Sequence, residues 1–160
     1  MKTKIFLAAC LVVIASSLSA QNYIGAKKCK MCHNKPANGA QYTKWMESSH
    51  AKAYEVLSET EKQDPKCLKC HSTAASVDQS LVLTITVEEG VSCESCHGPG
   101  SGYKKKTTMQ VREDAVKAGL VIPTEELCKK CHNDESPHFE GFNYEEALKK
   151  IAHPNPLAAE

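Results

Sequence analysis

The chain has 160 residues, 20 Lys and Arg against 19 Asp and Glu, seven His and nine Cys. That length suits one domain, and the near-balance of charge speaks against a nucleic-acid binder, which needs a strongly basic face. Nine cysteines is far above ordinary usage, so their placement decides their meaning.

Taken in chain order, the first element is MKTKIFLAACLVVIASSLSA, residues 1 to 20. Lys2 and Lys4 precede an apolar stretch from Ile5 to Leu18, followed by small residues. This is the pattern of a cleaved secretory signal, with the cut expected near Ala20. The apolar stretch falls short of the roughly 20 residues a membrane span requires. No second long apolar run exists, so no stable membrane span is expected. The remainder, 21 to 160, is expected to form one domain in the periplasm. It carries 18 basic and 19 acidic side chains.

Residues 37 to 58 read as a helix, because Tyr42, Trp45, Met46, Ala53 and Leu57 recur at spacings of three and four. His50 lies on or beside that stripe. LVLTITV, residues 81 to 87, is the one convincing strand, with Thr84 and Thr86 alternating with apolar residues. Residues 109 to 118 suggest a helix closed by Gly119. Thr124 is a candidate cap for a short helix carrying the last cysteines. Asn143 with Glu146 forms a candidate capping box for a final helix ending near His153, where Pro154 and Pro156 stop it.

Between these elements one pattern occurs four times. It reads Cys29-Lys30-Met31-Cys32-His33, Cys67-Leu68-Lys69-Cys70-His71, Cys93-Glu94-Ser95-Cys96-His97 and Cys128-Lys129-Lys130-Cys131-His132. Every cysteine after residue 20 belongs to one copy. C-x-x-C-H is the attachment sequence of c-type haem. The two thiols add across the two vinyl groups of the porphyrin, and the adjacent histidine supplies a ligand to the iron from below. Two zinc ions bound by paired knuckles, or four disulfides, would use the cysteines but leave four motif histidines without a purpose. An export signal agrees with the haem reading, because this attachment occurs outside the cytoplasm.

Four haems over about 140 residues leave roughly 35 residues each, too few to enclose each ring in its own globule. The haems must therefore pack on one another and act as the core. The expected fold is mainly α with little regular structure, built around stacked, covalently attached haems, with one short strand or hairpin.

His33, His71, His97 and His132 are the proximal ligands in this reading, and three histidines remain for four irons. His50 precedes small helix residues that a flat ring could approach. His153 is pinned by Pro154. His138 sits in a loop six residues beyond His132. At most three irons can take two histidines each, so at least one needs another ligand or an open position. An iron with two imidazoles is coordinatively full and suits electron transfer; an open one can bind a small molecule such as nitric oxide. No Ser-His-Asp or paired-carboxylate constellation competes. Lysines cluster at 27 to 30, 104 to 106 and 129 to 130, where they could meet haem propionates or an acidic partner.

These residues carry a resemblance. KKCKMCH at 27 to 33, the W-x-x-S-x-HAKA block from Trp45 to Ala53, and GVSCESCHGPG at 90 to 100 resemble the tetrahaem cytochrome c-554 family of multihaem c-type cytochromes. The likeness extends over nearly all the chain after residue 20, with a shorter middle and tail than the best-known member. It implies a small periplasmic electron carrier with stacked haem pairs. The implied donor is a hydroxylamine oxidoreductase, with other respiratory cytochromes as alternatives. It also implies that His50 pairs with His132 and His153 with His97, and that the iron of His71 is five-coordinate. This chain departs from the family after the G-P-G. There GSGYKKKTTM lacks the distal histidine that serves the first haem. His138, Met109 or Tyr103 could replace it, or that iron too is open. The Gly98 and Gly100 backbone is expected to lie close to a porphyrin. Two further readings stand beside the carrier: a small nitrogen-oxide reductase or ligand binder at an open haem, and a subunit of a polymeric haem wire.

Overall fold

A computed structural model describes residues 21 to 156. The expected signal segment, 1 to 20, lies outside the described residues. Within them the regular structure consists of short helices. They are α1 (Ala26–His33), α2 (Gln41–Glu47), α3 (Pro65–His71), α4 (Thr73–Ser76), α5 (Cys93–His97), α6 (Lys106–Met109), α7 (Arg112–Lys117), α8 (Glu125–Cys128) and α9 (Tyr144–Ile151). Three of the four cysteine motifs lie on helices, α1, α3 and α5. In the fourth, α8 carries only Cys128, and the chain turns through Cys131 and His132.

The helix expected over 37 to 58 is interrupted. A 3-10 turn spans Pro36–Asn38, α2 follows, and residues 48 to 57 run as turns and bends. Two local causes are visible. Ala40 stands at φ 49° before α2, and the Ser48 hydroxyl donates to the Trp45 carbonyl at 2.7 Å, ending the helical ladder. A distant segment takes over from there. Val91 N–H donates to His50 O at 2.9 Å, and the Trp45 indole donates to Val91 O at 2.8 Å. Tertiary bonds outweigh the helical propensity of the stretch.

The strand expected over 81 to 87 does not form. It makes one isolated parallel bridge, Tyr23 to Val82, and finds no partner strand. Leu83 is 62 % exposed while Ile85 is 4 % exposed, so the alternating residues do not share a face. The helix expected over 109 to 118 is split, with α6 ending at Met109 and α7 starting at Arg112. Gly119, at φ 100°, closes it as the sequence suggests. Thr124 occupies the cap position of α8 without a side-chain cap bond. Asn143 caps α9, its side chain accepting from Glu146 N–H at 3.0 Å.

Apolar burial is thin. The buried apolar side chains are Ile24, Ala26, Trp45, Ala51, Leu57, Ala74, Ile85, Tyr103 and Ala115. Among the described residues, only Ala26, Trp45 and Ala51 join into a cluster, with Tyr42 and Cys93 against it. The largest fully buried side chains are polar: Glu94, Thr73, Ser72 and Ser92. Met31, Val56, Val111, Val121, Ile122 and Phe139 stand exposed. Apolar burial is the main driving force for folding, and this polypeptide supplies little of it by itself.

Candidate haem sites

The four motifs come together in an order that differs from their order in the chain. The Cys29 and Cys93 thiols are close neighbours, joining the first motif to the third. The neighbouring Cys29 thiol first, then burial, holds Cys93 far above the ordinary thiol range. Cys96 of the third motif lies within electrostatic reach of Cys128 and Cys131 of the fourth. Cys131 in turn contacts Cys70 of the second. Burial first, then the Cys70 neighbour, pushes Cys131 up to about 12. The motifs therefore follow one another in space as first, third, fourth, second.

A buried carboxylate fastens the first two. Glu94, the residue after Cys93, is 2 % exposed. Its oxygens accept from Ile24 N–H at 2.9 and 3.0 Å, from Gly25 N–H at 2.7 Å and from Gly100 N–H at 2.6 Å. Glu89 accepts from Ala26 N–H at 2.7 Å and from the Ser92 hydroxyl at 3.3 Å. The N–H groups that open α1 thus end on two carboxylates from the approach to α5 and from α5 itself. This answers the shortage of donors' partners that every helix start faces.

The same contacts change the reading of the G-P-G turn. A Cβ on Gly100 would stand 3.0 Å from Glu94 Oε1 and from Ile24 Cδ1. Gly98, at φ 74°, would bring one within 3.0 Å of Val121. Both glycines make room for protein atoms, Glu94 and Ile24 at Gly100 and Val121 at Gly98.

Four of the seven histidines fall into two pairs. The rings of His50 and His132 stand 5.9 Å apart, centre to centre, and those of His97 and His153 stand 6.0 Å apart. Ring packing alone brings centres closer, as His132 and Phe142 do at 4.8 Å and 17°. Two imidazoles on opposite sides of one metal, each bonded at about 2 Å, place their centres about 6 Å apart. The residues present therefore fit an iron held between each pair. The ring nitrogens agree. Nδ1 of His71 faces Ala53 O at 2.7 Å, that of His97 faces Val121 O at 3.2 Å, and that of His153 faces Ile151 O at 2.8 Å. A proton donated from Nδ1 to a carbonyl leaves Nε2 free to bind metal and fixes the ring's direction. Burial lowers the proton affinity of His50, His97 and His132, in His50 with help from His132 nearby. That favours the neutral imidazole that metals require.

Among the described residues, no second imidazole stands opposite His33 or His71 at this spacing. His138 is exposed, on a loop tied to α3 by an ion pair between Glu135 and Lys69. The Glu61 carboxyl is held low by Ser58 first, with smaller contributions from His138 and His71. His138 thus lies on the side of the second motif. Met109 is half-buried at the end of α6. Tyr103 is buried, and its hydroxyl donates to Gly98 O at 3.0 Å. Burial, then the neighbouring Cys29 and Glu94, drives its ionisation well above the usual tyrosine range. A tyrosine ligand to haem iron is ionised, so this environment disfavours Tyr103 in that role. Among the described residues no group of three or more His, Cys, Asp or Glu converges as a zinc knuckle would require.

A family model described as Cytochrome c554 and c-prime matches residues 28–98. Cytochrome c-554 of Nitrosomonas europaea is 32 % identical over 139 residues, which cover 68 % of this chain and 56 % of that relative. The chain belongs to the cytochrome c-554 family. Its cofactor is accordingly c-type haem iron, and its mainly helical architecture, almost devoid of strand, suits a multihaem cytochrome c. The chain spans little more than half the length of the cytochrome c-554 it matches. No solved structure matches it significantly. Among the described residues, no helix of this c-554 family member is long and apolar enough to cross a membrane.

Sequence reading missed Glu94 and Glu89. A glutamate between two motif cysteines looks like any surface residue until the fold brings three backbone N–H groups onto it. The one available signal is its neighbourhood of small residues, Gly90, Ser92, Gly98 and Gly100, which leave space for a carboxylate to meet backbone.

Proposed function

We propose that this chain is an exported carrier of single electrons, tethering four haems and passing electrons between periplasmic redox partners. The observation that carries the reading is the pair of facing imidazoles, His50 with His132 and His97 with His153, at the separation that spans one iron. Haem supplies reversible one-electron chemistry of its iron. The chain's residues do the rest. Cys29, Cys32, Cys67, Cys70, Cys93, Cys96, Cys128 and Cys131 anchor the groups, and His33, His71, His97 and His132 bind from the proximal side. Glu94 and Glu89 hold the first motif against the third. A donor resembling hydroxylamine oxidoreductase, or another respiratory cytochrome, belongs to this proposal, as does cleavage near Ala20. The test is the mass of the mature protein from a periplasmic fraction. It should equal residues 21 to 160 plus four haems, and a colourless product with the mass of the bare chain would refute the reading.

A second reading rests on the two unpaired motif histidines. The irons of His33 and His71 have no imidazole opposite among the described residues, which favours binding of a small nitrogen oxide there. Titration with nitric oxide should shift the high-spin part of the spectrum and leave the low-spin part unchanged. Spectra indifferent to nitric oxide would remove this reading.

A further inference from the structure

We propose that the α1 face around Met31 and Cys32 is the docking surface for an acidic redox protein. The inference rests on the electron-carrier reading and adds where, and with what chemistry, a partner is met. Residues 21 to 56 carry six lysines and two glutamates, whereas residues 57 to 80 carry three lysines and four acidic side chains. The basic stretch holds the first motif and the acidic one the second. These motifs stand at opposite ends of the spatial order, so the two ends differ in sign.

The basic charges are also uncommitted. Ion pairs among the described residues involve Lys62, Lys69, Lys117, Lys129 and Lys149. None involves Lys27, Lys28, Lys30, Lys35 or Lys44, and Lys30 lies over the Tyr42 ring at 5.3 Å. The first turn of α1 has no acidic residue. In the middle of this charge, Met31 is 72 % exposed, and Cys32 is exposed while the other seven attachment cysteines are half-buried. An exposed apolar centre ringed by one sign of charge is how a transient interface combines contact with steering. A membrane surface fits less well. Interfacial helices need a broad apolar face, and α1 offers only Met31, since Ala26 is buried. Like charge at Glu61 and Asp64, beside Cys67, turns the same acidic partner away from the second motif.

The test uses the purified holoprotein with flavodoxin as the acidic probe. Its anionic hydroquinone gives one electron to a ferric haem, leaving the neutral semiquinone and a ferrous haem, with no proton moved. Binding of oxidised flavodoxin is measured by calorimetry, and the reduction rate by stopped flow, each from about 0.01 M to 0.1 M salt, over which the screening length falls from roughly 30 to 10 Å. The variant Lys27→Glu/Lys28→Glu/Lys35→Glu should lose on the order of tenfold or more in both at low salt and show a flattened salt dependence. Lys66→Glu/Arg112→Glu/Lys117→Glu changes net charge equally and should stay within about threefold of the parent.

Equal losses in both variants would reduce the effect to net charge and overturn the proposal, as would an unaffected first variant. Altered haem potentials with unaltered binding would make the lysines propionate partners instead. Loss of binding to phosphatidylglycerol vesicles, with flavodoxin binding intact, would assign the face to a membrane. Neutral lumiflavin semiquinone separates the two claims. If it too fails to reduce the protein, the carrier reading falls, and the docking surface is still decided by calorimetry.

Discussion

Glu94→Ala should be the most damaging single substitution outside the haem ligands. The truncation leaves the N–H groups of Ile24, Gly25 and Gly100 without their acceptor, beneath side chains that exclude water from a site only 2 % exposed. Each buried donor left unpaired costs about 1–3 kcal/mol. Three of them amount to roughly 3–9 kcal/mol, a large share of the 5–15 kcal/mol typical of a folded domain. The midpoint of thermal unfolding, followed by circular dichroism, should fall by roughly 10–20 °C. Glu94→Gln keeps the shape but turns an amide N–H toward a backbone donor, so it should lose a good part of the same stability. Glu55→Ala, on an exposed side chain, should change it by no more than about 0.5 kcal/mol. A melting point for Glu94→Ala that matches Glu55→Ala would mean the junction of the first and third motifs is held by something else.

The second large effect concerns the facing imidazoles. His50→Ala and His153→Ala should each convert one low-spin, two-histidine iron to a high-spin iron, read by low-temperature EPR of the oxidised protein. The parent should show two such low-spin irons and each variant one, with the double variant showing none. Added imidazole should restore the low-spin signal in the single variants, because it replaces only the missing ring. His138→Ala should leave both signals in place, since its ring belongs to neither facing pair. A parent-like spectrum in His50→Ala would break the assignment of that pair. Covalent haem content should be the same in all of them, so the comparison is not confounded by incomplete maturation.

The chemistry of the chain was more legible than its shape. Four C-x-x-C-H copies announce the cofactor because sulfur, sulfur and imidazole must sit at one fixed local spacing, which sequence records directly. The partners His50 and His153 could be singled out by number and by resemblance, and the structure brings each beside a motif histidine. The sixth ligand of the first iron is not legible, because a distal ligand comes from anywhere in the chain that the fold delivers. The helix over 37 to 58 was overextended for a related reason. Its apolar spacing is genuine, yet Ser48 and Val91 take its carbonyls. The strand over 81 to 87 had the right alternation, but its pairing stops at a single bridge to Tyr23. With so small an apolar interior among the described residues, periodicity loses its usual meaning, because few apolar faces find another to pack against.

The interleaved order of the motifs has a consequence for how such a molecule is made. A polypeptide emerges from its amino end, so α1 is complete some sixty residues before Glu89 and Glu94 exist to receive it. For that interval its opening amides have only solvent, and the first cysteine pair lacks the neighbour that later shelters it. Nor can the gene be halved into two independent products, since the boundary between the second and third motifs would sever both the first junction and the last. The molecule is indivisible at its midpoint, and nascent segments must wait, unfolded and tended, for downstream sequence to arrive.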